Sequence, residues 1–250
     1  MEVLQIRNSI PSEWRRVLCE SNKQSVEEKK VFFIDNMMYK IDSITTKLIY
    51  LELIRQKGRS PSCIVKWSED YPGFHNAHED LWPNIFYNAF NTTQDTKLQT
   101  FQFKIIHRLI VCNKKLSDMK IKDDPKCDHC DEIDDLLHFF LFCPKANQFW
   151  NSFFNWWNNL GEIQISIDYD SLEESVIFGF QTEGGIFTVL NFCILLAKYH
   201  IYNQRIHNGN AIDFFQYLIE LKNRLKLEYT ICTHKMTNDF EKYSFLFDQL

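Results

Sequence analysis

The chain has 250 residues, 22 Phe against 7 Gly, and a formal net charge of −5 with an isoelectric point near 5.9. That length suits one large or two to three small packed units, and Gly at about 3% against a usual 7% or so argues against folds built on Gly-rich phosphate loops. With 45% apolar and 24% charged residues, whole-chain disorder is excluded, and the acidic balance excludes a global basic footprint for nucleic acid, so such contact must be local.

In chain order, Ser9 or Pro11 opens a short helix through Trp14, Val17 and Leu18, and Val31 to Ile41 reads as a small hairpin turning at Asp35-Asn36. Ile44, Leu48, Leu51 and Ile54 recur at helical spacing after a cap at Asp42 or Ser43, and Gly58 stops that helix. Ser60-Pro61 starts the next, with Pro at its first position. Trp82, Ile85, Phe86, Ala89 and Phe90 share a helical face. So do Leu98, Phe101, Ile105 and Leu109, behind a cap at Asp95 or Thr96.

A turn at 122–125 leads into Cys127 and Cys130, and a helix resumes near Asp134, punctuated by Pro144. Trp150, Phe153, Phe154 and Trp157, at i, i+3, i+4, i+7, predict a core face closed at Gly161 rather than a base-stacking row. Ser171 to Glu174 has capping-box spacing. Long helices are predicted over 186–207, stopped by Gly209, and over 211–229, with an amphipathic piece from Asp239. The longest apolar run, Ile186 to Ala197, falls short of the roughly 20 residues a membrane span needs, so it predicts a buried helix and no membrane partner.

The fold class expected is mainly α, a multi-helix assembly with a small CCHC zinc knuckle and one short N-terminal hairpin. The divisions expected are an N-terminal helical region over 1–95, a basic helix plus zinc-binding region over 96–161, and a C-terminal helical region over 162–250.

One pattern carries chemistry: Cys127-x2-Cys130-x7-His138-x4-Cys143. A tight turn aims both sulfurs of a C-x-x-C pair at one point, and a following helical turn can bring an imidazole and a third thiolate, completing the closed tetrahedron of structural Zn²⁺. The competing readings are a bare C-x-x-C beside a core Cys143 and a surface His138, and a redox C-x-x-C, which lacks its βαβ setting. His129, between the two cysteines, points away from the site its neighbours form. Eight Cys without a secretory leader predict a reducing, intracellular setting in the nucleus or cytoplasm.

These residues resemble a known family. The run Trp82 to Phe90, Lys97 to Ile110, Cys112 to Leu116, then Cys127, Cys130, His138, Cys143-Pro144 and Phe149-Trp150 is similar to the reverse-transcriptase zinc-binding region at the C-terminal end of LINE-type non-LTR retrotransposon proteins. The likeness is dense over 82–160 and looser over 42–68 and 190–205. It departs at Val111, where the family pattern has Pro, and at Leu136-Leu137, where polar residues are usual. It implies a module downstream of a polymerase, in cis, that helps hold element RNA or target DNA, with Cys127, Cys130, His138 and Cys143 as the metal ligands.

Catalysis is not expected of this chain. Polymerase chemistry needs carboxylates on a strand-turn-strand to hold two metals. The superficially similar Ile133-Asp134-Asp135 sits inside the knuckle, where a helix-capping role is expected. The zinc-deaminase pattern fails for want of H-x-E. His75 and His78 near Glu79 and Asp80 read as loop residues, their use in a hydrolase being a weak option. No small-molecule substrate is expected.

From Lys97 to Lys126 the chain has a local excess of five positive charges. On a continuous helix Lys97, Lys104, Arg108 and Lys115 fall on one face, and with Lys114 they form the expected phosphate-tracking set. From 127 to 183 acidic residues dominate. The expectation is therefore that zinc orders the fold and presents the preceding basic helix. The alternative is a helical protein-interaction module that keeps a structural zinc and binds no nucleic acid.

Overall fold

The computed structural model describes residues 12–13, 31–34, 37–40, 45–58, 60–71, 81–161, 165, 169–182, 184–208, 212–235, 243 and 246. The chain divides into two compact units, 1–60 and 61–250. The divisions expected at 95/96 and 161/162 both fall inside the second. Most of the N-terminal helix expected from Ser9, apart from the helical residues 12–13, the loop holding His75 and His78, and most of the piece from Asp239 lie outside the described residues.

In the first unit, strands β1 (Val31–Ile34) and β2 (Met37–Lys40) pair antiparallel, with Val31 opposite Lys40 and Ile34 opposite Met37. Helix α1 (Thr46–Lys57) follows. Its cap is Thr45, whose Oγ1 accepts from the Leu48 amide at 3.3 Å, rather than the Asp42 or Ser43 expected. A hydroxyl three residues before an amide fits the N-cap geometry, and Gly58 ends the helix.

The second unit is built of helices: α2 (Ser62–Asp70), α3 (Trp82–Asn91), α4 (Thr96–Ile106), α5 (Asn113–Asp118), a π-helical turn at His138–Phe142, α6 (Pro144–Asn159), α7 (Tyr169–Phe178), α8 (Gly185–Asn203) continuing into a second π turn at Gln204–Asn208, and α9 (Phe214–Lys235). Helix α8 is the hub. Every residue from Val189 to Ile201 is buried, and α4, α9 and the first π turn pack against it. With its π extension it is long and apolar enough, by composition alone, to cross a membrane, but 72% of that window is buried inside the fold. A helix enclosed on all sides needs apolar residues all round, which is why no single apolar stripe stands out.

The aromatic row of α6 is core, as its spacing requires: Trp150, Phe153, Phe154 and Trp157 are all buried, and Trp150 stacks on Phe154. Helix α7 includes Tyr169, so Ser171 lies within the helix rather than at the cap its spacing predicts.

Polar side chains lock the helices at chosen points. The Trp67 indole N–H donates to the Ile106 carbonyl at 2.8 Å, fixing α2 on the end of α4. Asn191 pairs with both the N–H and the C=O of Phe180, at 2.7 and 2.9 Å. This close approach needs Gly179: its φ is +88°, and a Cβ there would meet the Asn191 amide at 3.1 to 3.3 Å.

Candidate metal centre and its basic flank

The four residues singled out by spacing meet in space. The Sγ atoms of Cys127, Cys130 and Cys143 and a ring nitrogen of His138 all lie within 4.8 Å of one another, and all but Cys130 are buried. Cys127 and Cys143 sulfurs stand 3.9 Å apart, and Cys130 Sγ is 3.2 Å from His138 Nε2. Around a tetrahedral ion with bonds of about 2.3 Å to sulfur and 2.0 Å to nitrogen, those edges would be roughly 3.8 and 3.5 Å. The donor set therefore fits an ion of zinc size.

Local structure explains the convergence. The Cys127 amide donates to the Glu132 carbonyl and the Asp134 amide to the Pro125 carbonyl, folding 125–134 into a tight turn with a bridge between Lys126 and Ile133. Within it the His129 N–H points at Cys127 Sγ, at 3.4 Å. The other two ligands are set by the π turn: the Cys143 N–H donates to the His138 carbonyl at 2.9 Å, an i to i+5 bond that brings two residues five apart onto one side. Asp135 caps this turn, its Oδ1 accepting from the His138 N–H at 2.8 Å. Pro144 at the first position of α6 leaves Cys143 at its N-cap. His129 is not a ligand, and its Nδ1 faces Lys145 Nζ at 3.1 Å.

Burial raises the pKa of Cys130 and Cys143, and the neighbouring thiols add to it, while the backbone amides of Glu132 beside Cys130, and of Lys145 and Ala146 beside Cys143, pull the other way. Burial lowers that of His138, keeping the imidazole in its neutral, ligating form. A metal ligates sulfur as thiolate, so one bound here would release the protons that burial favours on Cys130 and Cys143.

Sequence reasoning missed the residue that ties the site to the core. Arg205, in the π extension of α8, donates from Nη1 to the Phe139 carbonyl at 2.8 Å and from Nη2 to Asp134 Oδ1 at 2.8 Å and Cys127 Sγ at 3.3 Å. Its guanidinium lies 4.0 Å from the Phe139 ring centroid. Asp134 Oδ2 accepts from the Asn113 amide, and Asn113 Nδ2 donates to the Lys126 carbonyl, so α5, the knuckle turn and α8 share one network. The available signal was a second cation, seven residues after Lys198, on an otherwise apolar helix.

The basic set does not form one stripe. Helix α4 ends at Ile106, and Arg108 has φ +56°, so Lys115 belongs to a separate short helix. The chain turns there because the Arg108 and Leu109 amides close back on the carbonyls of Ile105 and Lys104. Lys97 and Lys104 are exposed on α4, and the Lys97 ammonium lies 5.2 Å from the Tyr199 ring centroid. Arg108, Lys114 and Lys115 instead gather at a cleft beside the knuckle.

Residues 71–150, roughly a third of the chain, match the model of a family described as zinc-binding in reverse transcriptase. That description is of a zinc-binding region rather than of the polymerase domain, and the match spans all four candidate ligands. No curated protein matches the chain.

Proposed function

We propose that this chain is a zinc-ordered, non-catalytic module that accompanies a reverse transcriptase of LINE type and helps hold its RNA or target DNA. The observation that carries the reading is the convergence of Cys127, Cys130, His138 and Cys143 inside the matched segment. These four residues would hold Zn²⁺ as a CCHC knuckle, and a closed four-ligand site orders structure rather than activating water. Lys97, Lys104, Arg108, Lys114 and Lys115 supply the charge for phosphate contact. A polymerase in cis and an intracellular setting in the nucleus or cytoplasm complete the proposal; reducing conditions there would keep the thiols free.

The interaction-module reading draws on α9, where Phe215, Ile219 and Leu227 are exposed. Two measurements on the purified chain decide. Elemental analysis should find one zinc per chain, lost in Cys130→Ser; a folded, metal-free protein sinks the knuckle. Binding of a labelled single strand should weaken with salt at a log–log slope of about −0.7 per phosphate contacted. Absence of binding at low salt would leave the interaction module.

A further inference from the structure

Beside the knuckle, between α2 and α5, lies a cleft of about 550 Å³, within the roughly 300–1,000 Å³ range of small-ligand sites. Lys66, Arg108, Lys114 and Lys115 line it, over an apolar floor of the half-exposed Leu109 and the buried Ile110 and Leu136. We infer that this cleft receives one nucleotide of a single-stranded nucleic acid, its phosphate against the four cations and its sugar and base against the apolar floor. The inference rests on the nucleic-acid reading above and locates its contact.

Two of the cations, Arg108 and Lys115, are held in place. Arg108 is bonded to Asp70 at 2.5 Å and to the Lys66 carbonyl at 2.7 Å, and its guanidinium lies over the rings of Trp67 and Tyr71, 5.3 and 5.4 Å from their centroids. The left-handed turn at Arg108 presents its carbonyl to Lys115 Nζ at 2.6 Å. Burial lowers the pKa of Lys115, Cys112 opposes this, and the charges of Lys66 and Arg108 add smaller repulsions. Two of the lining carboxylates are already engaged, Asp70 by Arg108 and Asp135 by the His138 amide and the Tyr71 hydroxyl, while Asp118 is exposed at the rim. A phosphate entering the cleft relieves the repulsion that the fold maintains there.

The apolar floor decides between a nucleotide and phosphate alone, because covering the half-exposed Leu109 rewards a ligand with a carbon face. It also decides for a single strand: a duplex keeps its bases stacked inside and offers a concave cleft only its phosphates.

The test uses the zinc-loaded full chain and fluorescence anisotropy with a labelled oligo-dT strand and the corresponding duplex. Lys66→Glu with Lys114→Glu alters two exposed lining residues; Lys222→Glu with Lys226→Glu, both exposed on α9, makes the same charge change outside the cleft. The expected result is a loss of about tenfold or more in single-strand affinity for the cleft pair against about threefold or less for the other, with weaker duplex binding throughout. Lys115→Met, which retains most of the aliphatic stem, should reproduce the loss if the cleft pair fails to fold. Equal losses in the two pairs overturn the cleft and leave the nucleic-acid reading standing. Duplex binding as tight as single-strand binding overturns the nucleotide assignment. Failure of the unaltered chain to bind either probe at low salt overturns both.

Discussion

Two buried cations behave oppositely because one has a carboxylate and the other does not. Arg205 and Asp134 have side chains 5% and 3% exposed and are paired at 2.8 Å. Breaking such a pair strands a buried charge, at a cost of about 3–5 kcal/mol. Arg205→Ala should lower urea stability by that amount, and Arg205→Met with Asp134→Asn should recover part of it; strictly additive losses would mean the two are not coupled. Lys198 is fully buried, and its ammonium donates to Gln102 Oε1 and the Ile177 carbonyl, at 2.7 and 2.8 Å. Burial drives its pKa well below 10.5. The unfolded chain therefore binds the proton more readily, and this residue's contribution to stability rises with pH from its folded pKa up to 10.5. Urea unfolding of the wild type and Lys198→Met across that window should show the wild type gaining on the variant as pH rises. A constant difference would mean the ammonium is charged in the fold.

Elements were legible in proportion to how local their causes are. The α6 core face, a cap at Asp95 or Thr96 and the convergence of the four candidate ligands follow from spacing within a few turns; the face is buried, Asp95 is the cap, and the four side chains meet. The end of α4 was not legible, since an apolar phase continuing to Leu109 masks a turn that backbone hydrogen bonds make at Arg108. Nor was the i+5 bond that aligns His138 with Cys143, because an α-helical template places neighbours three or four residues apart. The short ligand-bearing turn depends on its cap. Asp135→Ala removes the carboxylate that accepts from the His138 amide and should cost about 1 kcal/mol in urea stability. If the cap orients the imidazole, zinc affinity by competition with a chromophoric chelator should fall as well; unchanged affinity would show that the π turn alone positions the ligand.

At the scale of the molecule, the candidate ligands and the main core belong to two clusters joined at a few points. One apolar cluster runs from Cys63 to Leu246 through α8, while Cys127, Cys143 and Ala146 form a small cluster of their own. The links between them include Arg205, which reaches from α8 to Cys127 and Asp134, Ile212, which packs against both, and α6, whose first turn faces the knuckle and whose remainder lies in the core. If the four residues hold a metal, removing it should therefore loosen the segment they close without melting the whole. The buried helix α8 keeps its packing, whereas the turn at 125–134 has only a handful of backbone hydrogen bonds to resist opening. Hydrogen exchange before and after chelation is the measurement: amides over 113–143 should lose protection by an order of magnitude or so, those of Val189 to Ile201 should not, and far-ultraviolet circular dichroism should retain most of its helical signal. Uniform loss across both regions would mean instead that the metal and the apolar core form one cooperative unit, with the network from Arg205 through Asp134 to Asn113 strong enough to transmit local opening to the core.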